Sequence, residues 1–199
     1  MLRIIGKNAD PNQLAGWISD PSIVKDRGTL YITLLGICGD DAQRTQLKQW
    51  VDERLATGSS SHLAAMLTAY AELRGESAMT FIEATYFRGP QRTLGELIAA
   101  SQALRLHGQA DDKIPRGRIL AVYHRLLKER PQLLELFLED CQQWEDWSIA
   151  SQLIEIYLDG KQPWHNKLIT DYMKACPLPA AKQFLERVAP ANSVADGSR

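Results

Sequence analysis

Residues 20–39 read DPSIVKDRGTLYITLLGICG, and this stretch decides the fold class. Asp20 precedes a proline at the first helical position, where a carboxylate caps free backbone N–H groups and the missing proline N–H costs nothing. Ile23, Leu30, Tyr31, Leu34, Leu35 and Cys38 then recur at helical spacing, and Gly39 marks the stop. Apolar residues cover much of this helix's circumference, which predicts a helix lying between neighbours.

The same period extends in both directions. Upstream, Asp10-Pro11 repeats the cap. Downstream, Leu47, Trp50, Val51 and Leu55 form a narrower stripe, and residues 58–61 predict a loop ending in a capping serine, Ser61. Leu63, Leu67 and Tyr70 lead to Gly75; Met79, Ile82 and Tyr86 lead to Gly89-Pro90; Leu94, Leu97, Ile98, Ser101 and Leu104 lead to Gly108. After a polar loop at 108–113, Pro115 opens a helix through Ile119, Tyr123, Leu126 and Leu127, and Leu133, Phe137 and Cys141 follow Pro131. Ile149, Leu153, Ile156 and Tyr157 come next, and Pro163 and Pro179 open two final helices.

No alternating run of β-branched residues suggests a strand. The pattern predicts about eleven helices joined by short links. Alternate helices begin near residues 23, 61, 93, 131 and 164, a spacing of about 35 residues that suits stacked helix pairs. One pair alone cannot bury its apolar face, whereas neighbours stacked in series build a continuous core. The expected fold is therefore all-α, a HEAT-like α-solenoid (α-α superhelix) of about five helix pairs. It forms a single helical-repeat domain over residues 1–189, followed by a disordered polar tail at 190–199. A globular helical bundle would use the same stripes with less regular spacing.

Composition narrows the function classes. The 199 residues carry 23 Lys and Arg against 24 Asp and Glu, a formal net charge of -1, with no basic stripe to neutralise phosphates. No nucleic acid partner is expected on that ground, nor attachment to an anionic membrane. Apolar runs are short and broken by charges, so no membrane insertion is expected. The first residues, Met1 to Lys7, lack the apolar core of a signal peptide, which points to a cytoplasmic location, or to export if an upstream segment has been trimmed. Cys38, Cys141 and Cys176 are odd in number and widely spaced, as buried thiols are, and not as a disulfide framework would be. His62, His107, His124 and His165 show no HxxxH or HExxH spacing, so no metal and no cofactor is expected. Glycine and serine motifs for phosphate cradles or nucleophile elbows are missing, and no catalytic residue is assigned.

Three stretches carry a resemblance: Arg27 to Gly39 (RGTLYITLLGICG), Ala99 to Arg105 (AASQALR) and Glu139 to Trp147 (EDCQQWEDW). They are similar to bacterial, planctomycete-type HEAT-like helical repeat proteins of uncharacterised function. The likeness extends over almost the whole chain and ends before the tail. It implies the helical-repeat fold and adds no activity. Members of that group often carry an extra N-terminal region and an export signal, so the resemblance leaves open that this chain is one domain of a larger exported protein.

The residues worth weighing as ligand-binding candidates are Arg105, Asp140, Trp144 and Trp147. Asp140 and Trp144 are four apart and share a helix face, so they could form an aromatic-acidic corner that grips a partner, a cation or a peptide. The order Trp-Glu-Asp-Trp-Ser favours the other reading, in which the tryptophans are core plugs between successive repeats and Asp140, Asp146 or Ser148 caps a helix end. Arg105 sits at the border of a core stripe, where an arginine snorkels or pairs with a carboxylate such as Glu139 or Asp140. HEAT-like alkylpurine DNA glycosylases use these residue types on a concave surface, but they need a cationic groove that the charge balance here does not supply. The expected function is a non-catalytic HEAT-like scaffold or protein-interaction module, binding a protein partner or another domain of the same protein. The alternative is a small-ligand-binding or enzymatic helical-repeat protein with a site near Arg105, Asp140 and Trp144.

Overall fold

The computed structural model describes residues 8–89 and 91–192, with side chains described to residue 188. Among these residues the secondary structure is helical, with no strand. Residues 193–199, and with them most of the expected polar tail, lie outside the described residues. The last helix runs from Pro179 to Asn192 and so continues past Pro190.

The chain divides into two compact units, residues 1–119 and 120–199. The first contains α1 (Pro11–Ser19), α2 (Pro21–Cys38), α3 (Asp41–Thr57), α4 (Leu63–Arg74), α5 (Glu76–Ile82) and α6 (Leu94–Ala110), and the boundary falls within α7 (Arg116–Glu129). The second continues with α8 (Leu138–Gln143), α9 (Ala150–Asp159), α10 (Asn166–Ala175) and α11 (Pro179–Asn192).

Local chemistry sets the helix starts. Asp10 accepts from the backbone N–H groups of Asn12 and Gln13, and Asp20 accepts from that of Ser22. Asp40 with Gln43, and Thr93 with Glu96, form reciprocal capping boxes on α3 and α6. The start of α4 differs from the sequence expectation. His62, not Ser61, is the capping residue; it adopts a left-handed φ of 55° and makes no side-chain cap bond. Its ring is held by Thr29, whose Oγ1 lies 3.1 Å from His62 Nδ1. The tertiary contact with α2 therefore overrides the local serine cap.

In the first unit α1 packs on α2, α2 on α4, and α4 on α3, α5 and α6. The central α4 is rich in alanine and buries Leu63, Met66, Leu67, Ala69, Tyr70 and Ala71. Small residues let its backbone approach α2 closely: a Cβ added at Gly36 would stand 2.5 Å from Ala69 Cα. Beyond α5 the helix unwinds into a wider π-turn at Glu83–Phe87, which buries Glu83, Tyr86 and Phe87. Arg88 and Arg118 compensate the buried Glu83 carboxylate, Arg118 at 3.0 Å.

In the second unit α10 packs on α8, α9 and α11. Pro131 begins a 3-10 turn (Pro131–Leu136) before α8, and Pro163 begins another (Pro163–His165) before α10. His165 is buried there. Burial holds its imidazole below the ordinary 6.5, opposed only in part by Glu135, 3.5 Å from Nδ1, and by the backbone of Pro131. Between the lowered folded value and 6.5 the unfolded chain binds a proton that the folded chain does not. Stability therefore falls as pH drops through 6.5 and levels off below the folded value. Urea midpoints measured from pH 8 down to 5 should show this fall in the wild type and a shallower one in His165→Gln; equal pH dependences in the two proteins would refute the assignment.

Candidate functional site

The richest side-chain cluster is the corner that joins α8 to α9. The backbone turns at Glu145, which adopts a left-handed φ of 57°. The N–H of Asp146 donates to the carbonyl of Cys141 at 2.8 Å, and that of Trp144 to Asp140 at 2.9 Å. The corner projects Trp144 and Trp147 in succession, both half-buried. Tyr123 of α7 lies between two rings, stacked on Phe137 at 5.1 Å and on Trp144 at 6.0 Å with only 7° between the latter planes. Trp147 meets Tyr172 of α10 edge-on at 5.2 Å.

Asp140, Trp144 and Trp147 all belong to this corner of the second unit, and Arg105 is a half-buried residue of α6 in the first unit. Asp140 is fully buried, and its Oδ2 accepts from the Tyr123 hydroxyl at 2.9 Å. The carboxylate thus anchors the aromatic stack from inside. Asp146 occupies the capping position of the next turn (Trp147–Ile149), yet its side chain caps nothing.

That carboxylate is engaged elsewhere. Its Oδ2 lies 2.6 Å from His124 Nε2, and its Oδ1 accepts from Ser148 Oγ at 2.7 Å. The Tyr172 hydroxyl donates to the Asp146 carbonyl. No spacing in the sequence announces this group, because His124 and Asp146 stand 22 residues apart and Tyr172 a further 26. It is assembled by α7, which brings His124 to the corner, and by α10, which brings Tyr172.

The trio of serine, histidine and aspartate does not amount to a nucleophilic triad. A triad uses the two ring nitrogens separately, one for the serine and one for the aspartate. Here the same Nε2 faces both, at 2.6 Å from Asp146 and 3.5 Å from Ser148. Ser148 gives its proton to Asp146, so nothing withdraws it toward a base. Cys141, buried nearby, is no better placed: burial, followed by the negative charges of Asp146 and Asp140, pushes its thiol pKa up and keeps it protonated. Burial first and Asp146 second act likewise on the Tyr172 hydroxyl.

No family model, curated protein or solved structure matches the chain. Among the described residues no group of three or more His, Cys, Asp or Glu side chains could hold a metal ion. No helix among them is long and apolar enough to cross a membrane.

The exposed apolar surface offers a different kind of feature. On α6, Leu97, Ala100, Ala103, Leu104 and His107 face inward, whereas Leu94 is 65% exposed, Leu106 52% and Ile98 39%. Leu94 and Ile98 are one helical turn apart and lie on the same face. Sequence reading placed both in a core stripe; the packing of α6 on α4 selects the opposite face.

Proposed function

We propose that this chain is a non-catalytic helical-repeat module of HEAT-like design that binds a protein partner or another domain of its own protein. The observation that carries this reading is the exposed apolar pair Leu94 and Ile98 on one face of α6, with Leu106 exposed further along, on a helix whose other face is already satisfied by the core. A few large apolar side chains close together on a rigid helix make an adequate anchor for a protein surface. The series of contacts in the first unit, with α2, α4 and α6 packed in sequence and α3 and α5 packed on α4, supports a stack of helix pairs. The aromatic corner of the second unit supports the same reading, since Asp146, His124 and Ser148 are engaged with one another.

The test is capture from native lysate followed by identification of the retained protein. The wild type should retain a defined partner that the double variant Leu94→Asp/Ile98→Asp loses while keeping its helical circular dichroism. Equal retention by both would place the interface elsewhere; no retained protein at all, with every lysate fraction tested, would remove the binding reading.

A further inference from the structure

A groove of about 670 Å³ lies in the first unit, between α3 and α4, with the buried Tyr70 in its lining. Its charges are ordered along its length. Arg44 and Lys48 line it from the first half of α3, and Asp52 and Glu53 line it from the second half. Arg74, at the end of α4, belongs to the cationic end. The short link 58–62 makes α3 and α4 antiparallel, and the neighbouring Leu73 reaches back to the start of α3, with its Cδ1 3.4 Å from a Cβ placed on Gly39. Arg44 and Glu53 are nine residues apart, about 13 Å along the helix axis, so the ends are separated by more than a Debye length at ordinary salt.

This order works against the helix that carries it. Cations toward the N-terminus and anions toward the C-terminus oppose the macrodipole, and a lysine four residues before an aspartate is the less favourable sense of that pair. Local compensation is also incomplete. Lys48 pairs with Asp52, and Arg44 with Asp41, but neither Glu53 nor Arg74 makes an ion pair among the described residues; Glu53 receives only a hydrogen bond from Gln49. The groove therefore ends in one uncompensated cation and one uncompensated anion.

A surface that is positive at one end and negative at the other complements itself after a two-fold rotation, and isologous dimers use just such surfaces. We infer that the α3–α4 groove is a self-association surface, on which a second copy of this chain docks its own α3 antiparallel. Arg44 of one copy then faces Glu53 of the other, Lys48 faces Asp52, and Arg74 reaches Glu53. The inference stands independently of the α6 face, which uses a different helix and apolar chemistry.

The experiment is analytical ultracentrifugation of the full chain at about 20 mM and about 500 mM NaCl, up to about 100 µM protein. The wild type should dimerise at low salt and dissociate at high salt. Two variants invert half of the α3 stripe each: Arg44→Glu/Lys48→Glu leaves the α3 side of the groove acidic, with Arg74 its remaining cation, and Asp52→Lys/Glu53→Lys leaves the groove wholly basic. Each alone should be monomeric, and an equimolar mixture should recover the dimer, because the two stripes are then opposite in sign. Arg74→Glu, on an exposed side chain that contributes nothing to the core, should weaken the wild-type dimer by about tenfold or more. A wild type that stays monomeric at low salt overturns the inference. So does a dimer that survives in either double variant, a mixture that stays monomeric, or an Arg74→Glu dimer of unchanged affinity.

Discussion

Gly36→Val should lower the stability of the first unit by about 3 kcal/mol, whereas Gly16→Ala should raise it by about 0.5–1 kcal/mol. Both glycines are helical, so local propensity predicts a gain for any alanine placed at either site. Tertiary contact reverses the sign at Gly36. A Cβ there would stand 2.5 Å from Ala69 Cα and 2.7 Å from Ala69 Cβ, and both are fixed to the backbone of α4. The two helices must part, which opens the core around Leu35 and Leu67, both fully buried. Valine adds two further methyl groups to the same contact. At Gly16 nothing lies within 4 Å, so alanine meets open space. Thermal unfolding checks the pair: a loss of roughly 6–12 °C for Gly36→Val is expected in a chain of this size. A melting temperature at or above that of the wild type would show that α2 and α4 are not in this close contact.

The second large effect is expected in the aromatic corner. Phe137→Ala should cost about 3–5 kcal/mol, because the ring is almost wholly buried against Tyr123 and truncation leaves a cavity that rigid neighbours cannot fill. Trp144→Ala, at the half-buried outer end of the same stack, should cost about half as much. Denaturant titrations of the two variants, followed by tryptophan fluorescence and by circular dichroism, order the two sites. If Trp144→Ala proved the more damaging, the stack would have its centre at the tryptophan and the assignment of Phe137 as the inner ring would fail.

Much of the helical framework was legible in the chain. The Asp-Pro pairs at 10–11 and 20–21 act as caps because an aspartate oxygen reaches the N–H groups two and three residues ahead whatever surrounds it. The stripe Leu47 and Val51 is buried as its spacing requires. Short-range rules failed where a distant residue offered a better partner. His62 displaced Ser61 as the capping residue because Thr29 and Gly28 on α2 provide a hydrogen bond and a notch for its ring. Asp146 stands at a capping position, yet it turns to His124 and Ser148. Leu94 and Ile98 satisfied the helical period and still face outward, because periodicity marks an apolar row without saying which neighbour covers it.

The candidate residues divide in the same way. That Asp140 and Trp144 share a helix face follows from four-residue spacing, which fixes their relative direction on any α-helix. That Asp140 is enclosed under Tyr123, and that Trp144 extends the ring stack, depends on how α7 lies against the corner. The stretch 20–39 shows the limit most clearly. Its own residues determined a capped, broadly apolar helix, since capping and periodicity act over a few residues. Whether Gly36 could bear a side chain was decided only by Ala69, 33 positions beyond it, since packing is set by the distance between helix axes, a distance that no local pattern records.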